Sequence, residues 1–176
     1  MMMVTGGFRI GIWTWIYRFD LGEVDMSALL TPDLLSSIGT SELPREELVT
    51  RRDIRKYSVA TEQRLDKFIN GDEAPPMFHI ALFWDVVEQS QLIEDGLSVD
   101  TLLPEFPLKR AMAGGWKIDY HRPILPGDWL VSTRTLTDIY EKKGSQGPLI
   151  FYELTNKIES DSGEPVLTEI ITRILR

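Results

Sequence analysis

His79, Asp85 and Glu88 fall in one strongly apolar stretch, Met77 to Gln91. A carboxylate desolvated by apolar neighbours is a stronger base, and an imidazole so placed can shuttle a proton. Asp85, among bulky apolar neighbours, has two roles open: a base that activates water, or a carboxylate at a solvent-facing or partner-facing edge. His79 has two as well: a hydrogen bond to a backbone carbonyl in the first turn of a helix, or a place in a substrate tunnel. The other histidine, His121, sits beside Arg122 on a strand face expected to point outward, and two histidines this far apart make no metal motif. The chain has no cysteine, which removes disulfides, thiolate metal sites and a cysteine nucleophile. That composition suits a reducing cytosol and predicts a cytoplasmic location. No Gly-rich phosphate loop and no Gly-x-Ser-x-Gly elbow is present. Basic side chains gather at Arg51, Arg52, Arg55 and Lys56 on a helix, and at Lys109, Arg110, Lys142 and Lys143 in connections. Each set reads as solvated charge or as contacts to phosphate. A formal net charge of -8 argues against nucleic-acid binding, which needs a basic face.

These groups need elements to position them. Thr31 is placed as an N-cap with Pro32 behind it and Gly39 as the stop, so residues 32–38 predict a short helix. Thr50 opens a second helix with Ile54, Tyr57 and Val59 inward. Residues 62–75 read as loop. Ala74-Pro75-Pro76 leads into a helix over about 77–91, apolar on nearly every side, which requires a curved sheet around it. Residues 92–113 are a long connection carrying Pro104 and Pro107. From there the pattern has the period of two of half-buried strands. Trp116, Ile118 and Tyr120 alternate with Lys117, Asp119 and His121. Strands follow over 129–140 and 149–159, with Ile150, Tyr152, Leu154 and Ile158 on one face, and a last strand has Val166, Ile170 and Ile174 on one face. Turns are expected at Pro126-Gly127-Asp128, Lys142 to Pro148 and Ser160 to Glu164. The chain reads as α+β, an antiparallel meander wrapped around one helix. At 176 residues it is one domain with room for an extension. Residues 1–25 are expected to be that extension and 26–176 the domain, although Phe8 to Tyr17 also fits an extra strand. The apolar run Ile10 to Tyr17 is far short of the ~20 residues of a membrane span.

Several pieces in this order resemble one family. They are Thr50-Arg51-Arg52-Asp53-Ile54-Arg55-Lys56-Tyr57, Ala74-Pro75-Pro76-Met77-Phe78, Gly114-Gly115-Trp116, Arg122-Pro123, Pro126-Gly127-Asp128, Asp138-Ile139-Tyr140-Glu141 and Gly147-Pro148-Leu149. From about Leu30 to Arg176 the chain is similar to the MaoC-like dehydratases of the hotdog fold, in their N-terminal-half form, the dehydratase-type domain also found in fungal fatty-acid synthase. The resemblance implies a single hotdog. Active members carry an Asp and a His that hold a water for addition across an enoyl thioester, while a backbone donor polarises the carbonyl.

Aligned on Tyr57 to Phe68, the Asp position falls on Gln63 and the His position on Phe68. Neither side chain accepts a proton at neutral pH. The resemblance therefore implies the non-catalytic half of a double hotdog, an acyl-chain-binding subunit of an (R)-type enoyl-CoA hydratase or 3-hydroxyacyl dehydratase. Its partner would be a second hotdog chain that carries the Asp/His pair. An open sheet edge and an apolar helix flank both call for a dimer. Pro75, Pro76, Phe78, His79, Gly114, Gly115 and Trp116 are the expected substrate-binding residues. No metal and no cofactor is implied, since the substrate itself carries coenzyme A or an acyl-carrier phosphopantetheine. Two alternatives remain: a homodimeric hotdog thioesterase using Asp85 or Glu88, and an acyl-CoA-binding module without turnover.

Overall fold

A computed structural model describes residues 29–92, 96 and 98–176. The expected extension, 1–25, lies outside the described residues. Four short helices, α1 (Pro32–Ser36), α2 (Arg51–Ala60), α3 (Asp66–Ile69) and α4 (Phe78–Leu82), accompany five strands: β1 (Arg45–Leu48), β2 (Ala111–Tyr120), β3 (Trp129–Gly144), β4 (Gly147–Ser160) and β5 (Pro165–Leu175). Thr31 and Thr50 cap α1 and α2, each accepting a backbone N–H through its side chain. On α2, Ile54 is fully buried and Ser58 Oγ donates to the carbonyls of Ile54 and Phe68, which ties α3 to α2. Val59, expected inward, is instead exposed, because only one stripe of α2 meets the core. β1 and α3 were not foreseen. The four residues of β1, Arg-Glu-Glu-Leu, carry no alternation, and the strand exists through its pairing with β3.

All neighbours in the sheet are antiparallel, in the order β1-β3-β4-β5-β2. The register breaks between Ala113 and Gly115, between Leu136 and Asp138, and between Ile158 and Glu159. Such bulges increase twist and bend a sheet, here into a curve with a concave face. At Gly114 a Cβ would stand 3.0 Å from both Ile174 Cγ1 and the Thr172 carbonyl oxygen, so the bulge needs glycine's close approach.

The concave face carries two apolar clusters. One joins Leu136, Ile139, Ile150, Tyr152, Leu154 and Leu175 with Leu34, Leu102 and Phe106. The other joins Leu130, Ile158, Val166 and Leu167 with Val49, Ile54, Ala74, Phe78 and Ile124. The expected faces of β4 hold, with Ile150, Tyr152, Leu154 and Ile158 all buried. On β5 the phase is corrected. Leu167 and Leu175 join the clusters and Glu169 is buried, whereas Ile170 and Ile174 are only half-buried.

The helix is also corrected. It ends at Leu82 rather than near Gln91, and the chain then runs irregularly to a short 3-10 turn at Gln89–Gln91. Arg45 donates to the Phe83 carbonyl and pairs with Asp85 at 2.9 Å, and Ser98 Oγ donates to Asp85 at 2.9 Å. These bonds draw the chain off the helical path, where β-branched Val86 and Val87 do little to hold it. Val86 is fully exposed and Trp84 60% exposed, so this stretch is not the buried all-apolar helix its composition suggests.

Candidate functional site

α4 is one short helix, but its entry is tightly fixed. Ala74 N–H donates to the Ile124 carbonyl, and Met77 takes a left-handed conformation with φ of 67°. The Met77 N–H donates to the Tyr120 hydroxyl at 2.9 Å. Phe78 then drops into the second cluster, edge-on to Tyr57 at 5.7 Å between ring centroids. The next residue, His79, points to the sheet and is 1% exposed.

His79 meets a carboxylate from the other side of the core, a pairing not foreseen. Its Nε2 donates to Glu169 Oε1 at 3.1 Å, and Trp116 Nε1 donates to the same oxygen. Asn156 Nδ2 donates to Glu169 Oε2 at 3.4 Å, and Ser132 Oγ donates to Asn156 Oδ1 at 2.8 Å. Glu169 is 3% exposed. Burial works against its charge, but the hydrogen bond and charge of His79, with the bonds from Trp116 and Asn156, outweigh burial and hold the carboxyl below its ordinary range. His79 Nδ1 is buried and has no hydrogen-bond partner.

The register shows why these groups meet. Arg134, Asn156, Glu169 and Ile118 are direct cross-strand neighbours on β3, β4, β5 and β2. A polar row therefore crosses the sheet between the two apolar clusters. Above it lies a cavity of about 460 Å³, lined among others by His79, Phe83, Trp116, Tyr152, Glu169 and Arg173. Arg134 sits at its edge between Glu42, at 2.8 Å, and Asp100, at 3.0 Å.

Of the residues expected to bind substrate, His79 and Trp116 line this cavity. Pro75 and Pro76 shape the turn into α4, and the Pro76 carbonyl accepts from the Tyr57 hydroxyl. Phe78 packs in the second cluster, while Gly114 and Gly115 form the β2 bulge beside Trp116. Asp85 lines the cavity too, but in an irregular segment and ion-paired to Arg45 rather than on a helix among apolar neighbours. Glu88 likewise stands off the helix, as the cap of the 3-10 turn. Gln63 Nε2 donates to Thr61 Oγ1 at 3.1 Å, and Phe68 is buried under Lys67, whose Nζ lies 4.9 Å from the ring centroid. His121 is exposed and bonds Thr168. Lys109 pairs with Glu105, and Lys142 lies over Tyr140 and Phe151. Among the described residues no cluster of metal-ligating side chains is present, and no helix is long and apolar enough to cross a membrane. Glu169, Asn156, Ser132 and Arg173 escaped the sequence reading. The available signal was a run of polar residues at positions that strand alternation turns inward.

A family model for the FAS1-like dehydratase domain region matches residues 36–169. The chain belongs to that family. Among curated proteins it is similar to mesaconyl-C(4)-CoA hydratase of Chloroflexus aurantiacus, 33% identical over 78 residues, which is 44% of this chain. That match spans only 28% of the relative's length. Among solved structures, the ChsH1–ChsH2 complex from Mycobacterium tuberculosis superposes with a TM-score of 0.62 at 16% identity, covering 86% of this chain and 90% of that one. A MaoC-like dehydratase gives 0.55 at 19% identity, with 81% of this chain and 43% of the other covered. The MaoC-like dehydratase from Rhodospirillum rubrum gives 0.51 at 17% identity, covering 78% and 91%. At these identities the structures show the fold. This FAS1-like dehydratase-region chain has the α+β hotdog fold that the MaoC-like dehydratases share.

Proposed function

We propose that the chain is the non-catalytic, acyl-chain-binding subunit of a heteromeric enoyl-thioester hydratase or 3-hydroxyacyl dehydratase. A second hotdog chain would supply the Asp/His pair, and the thioester would carry coenzyme A or an acyl-carrier phosphopantetheine. The observation that carries this reading is Gln63 and Phe68 at the positions where active members have Asp and His. An amide and a phenyl ring cannot take a proton from water, and neither residue lines the cavity. The cavity beside α4 supports a binding role, because it is concave and lined by both apolar walls and converging polar groups. The two-chain ChsH1–ChsH2 complex, which shares this fold, supports a heteromeric arrangement.

The test is co-expression with hotdog chains that carry the Asp/His motif and are encoded beside this one. The complex is expected to hydrate crotonyl-CoA, and this chain alone is expected not to. Hydration by the purified chain at the rate of the complex would overturn the reading. Stable binding of acyl-CoA without turnover, with or without a hotdog partner, would favour a binding module instead.

A further inference from the structure

We propose that the cavity over the concave face takes an acyl group that ends in a carboxylate, with Arg173 as its ion partner. This rests on the acyl-binding reading above and adds a substrate class to it. Apolar side chains such as Phe83, Leu103 and Ile171 wall the cavity, but its floor carries the row Arg134, Asn156 and Glu169, where an alkyl chain would displace water that meets polar groups.

Most of that polarity is already satisfied within the protein. Arg45 pairs with Asp85, and Arg134 pairs with Glu42 and Asp100. Glu169 accepts from His79, Trp116 and Asn156, so its charge is offset by donors on both oxygens. One cation of the cavity lining is left without a carboxylate. Arg173 lines the cavity with its guanidinium 5.9 Å from the Trp116 ring centroid, and among the described residues no carboxylate pairs with it. The indole face and the neighbouring Tyr152, which is opposite Arg173 in the β4–β5 register, hold that cation in place without neutralising it. An unpaired guanidinium in the cavity matches an anionic oxygen ligand, and its planar fork suits a carboxylate in particular.

Calorimetric titration of the full chain compares succinyl-CoA with 4-methylpentanoyl-CoA, which has the same shape with two methyl groups in place of the carboxylate oxygens. Adipoyl-CoA and 6-methylheptanoyl-CoA form a longer pair. In at least one pair the carboxylate ester is expected to bind about tenfold tighter, as a charge-assisted hydrogen bond would give. Arg173→Gln should erase that preference while leaving the apolar ester's affinity unchanged, and Arg173→Lys should restore part of it. Equal or tighter binding of the apolar ester in both pairs would overturn the inference and leave the acyl-binding role standing. A preference that survives Arg173→Gln in a folded protein would overturn the assignment to Arg173. If no ester binds, the acyl-binding role falls and the inference falls with it.

Discussion

The concave face holds two kinds of interior side by side. The clusters around Leu136 and Ile158 are apolar and closed, with Leu130, Leu136, Ile150 and Ile158 all fully buried. The row between them, from Arg134 through Asn156 and Glu169 to His79, is equally deep at its centre but polar. Burial therefore does not distinguish the regions; what differs is how each is held. The clusters are held by area removed from water, without regard to direction. The polar row is held by specific donors and acceptors and tolerates no missing member. A site that must admit a polar ligand belongs to the second kind, and the fold places it between two blocks of the first.

The largest effect is expected in the apolar clusters. Ile158→Ala removes a fully buried side chain and should destabilise the protein by about 2–5 kcal/mol in urea titration. Ligand preference in the cavity should survive, because Ile158 does not line it. The next effect is in the polar row. Glu169→Gln keeps the shape but takes the charged acceptor from His79 and Trp116, and should be destabilising by about 1–3 kcal/mol. The folded-state carboxyl is held below its ordinary value near 4.5, so its contribution is complete above that pH and is lost as pH falls through the lower folded value. Stability curves at pH 3 to 7 should show a steeper acid limb in the native protein than in Glu169→Gln. A matching slope in both would mean Glu169 is not the charged hub. The smallest effect is expected at Asp85→Asn. Asp85 and Arg45 are both more than a third exposed, so losing the pair should shift stability by less than about 1 kcal/mol. Loss of thioester cleavage in Asp85→Asn would instead favour the thioesterase alternative.

The sheet was readable because strand alternation and turn residues are local. Ile150, Tyr152, Leu154 and Ile158 announce one face of β4, and the alternation from Trp116 to His121 announces β2, though not its bulge. α4 was readable in its entry, through Pro75 and Pro76, but not in its length. What ends it is Arg45, almost forty residues away and invisible to any local pattern. The site divides the same way. His79 stands out as one of only two histidines, and Trp116 through the family resemblance of Gly114-Gly115-Trp116. Glu169, 90 positions from His79, looks in the sequence like one more surface acid on a strand, and only the β4–β5–β2 register turns it inward. β1 shows the limit from the other side, since Arg45 to Leu48 become a strand only by pairing with β3.

The hydrogen bonds that Arg134 donates to Glu42 and Asp100 outweigh the burial of its guanidinium and raise its pKa further, so the charge is permanent. Glu42 belongs to the segment before β1 and Asp100 to the connection before β2, and one side chain from the sheet grips both. Two stretches of chain 58 positions apart in sequence, read from residues 42 and 100, thus share a single tether. Arg134→Leu should therefore release both stretches together, rather than one of them.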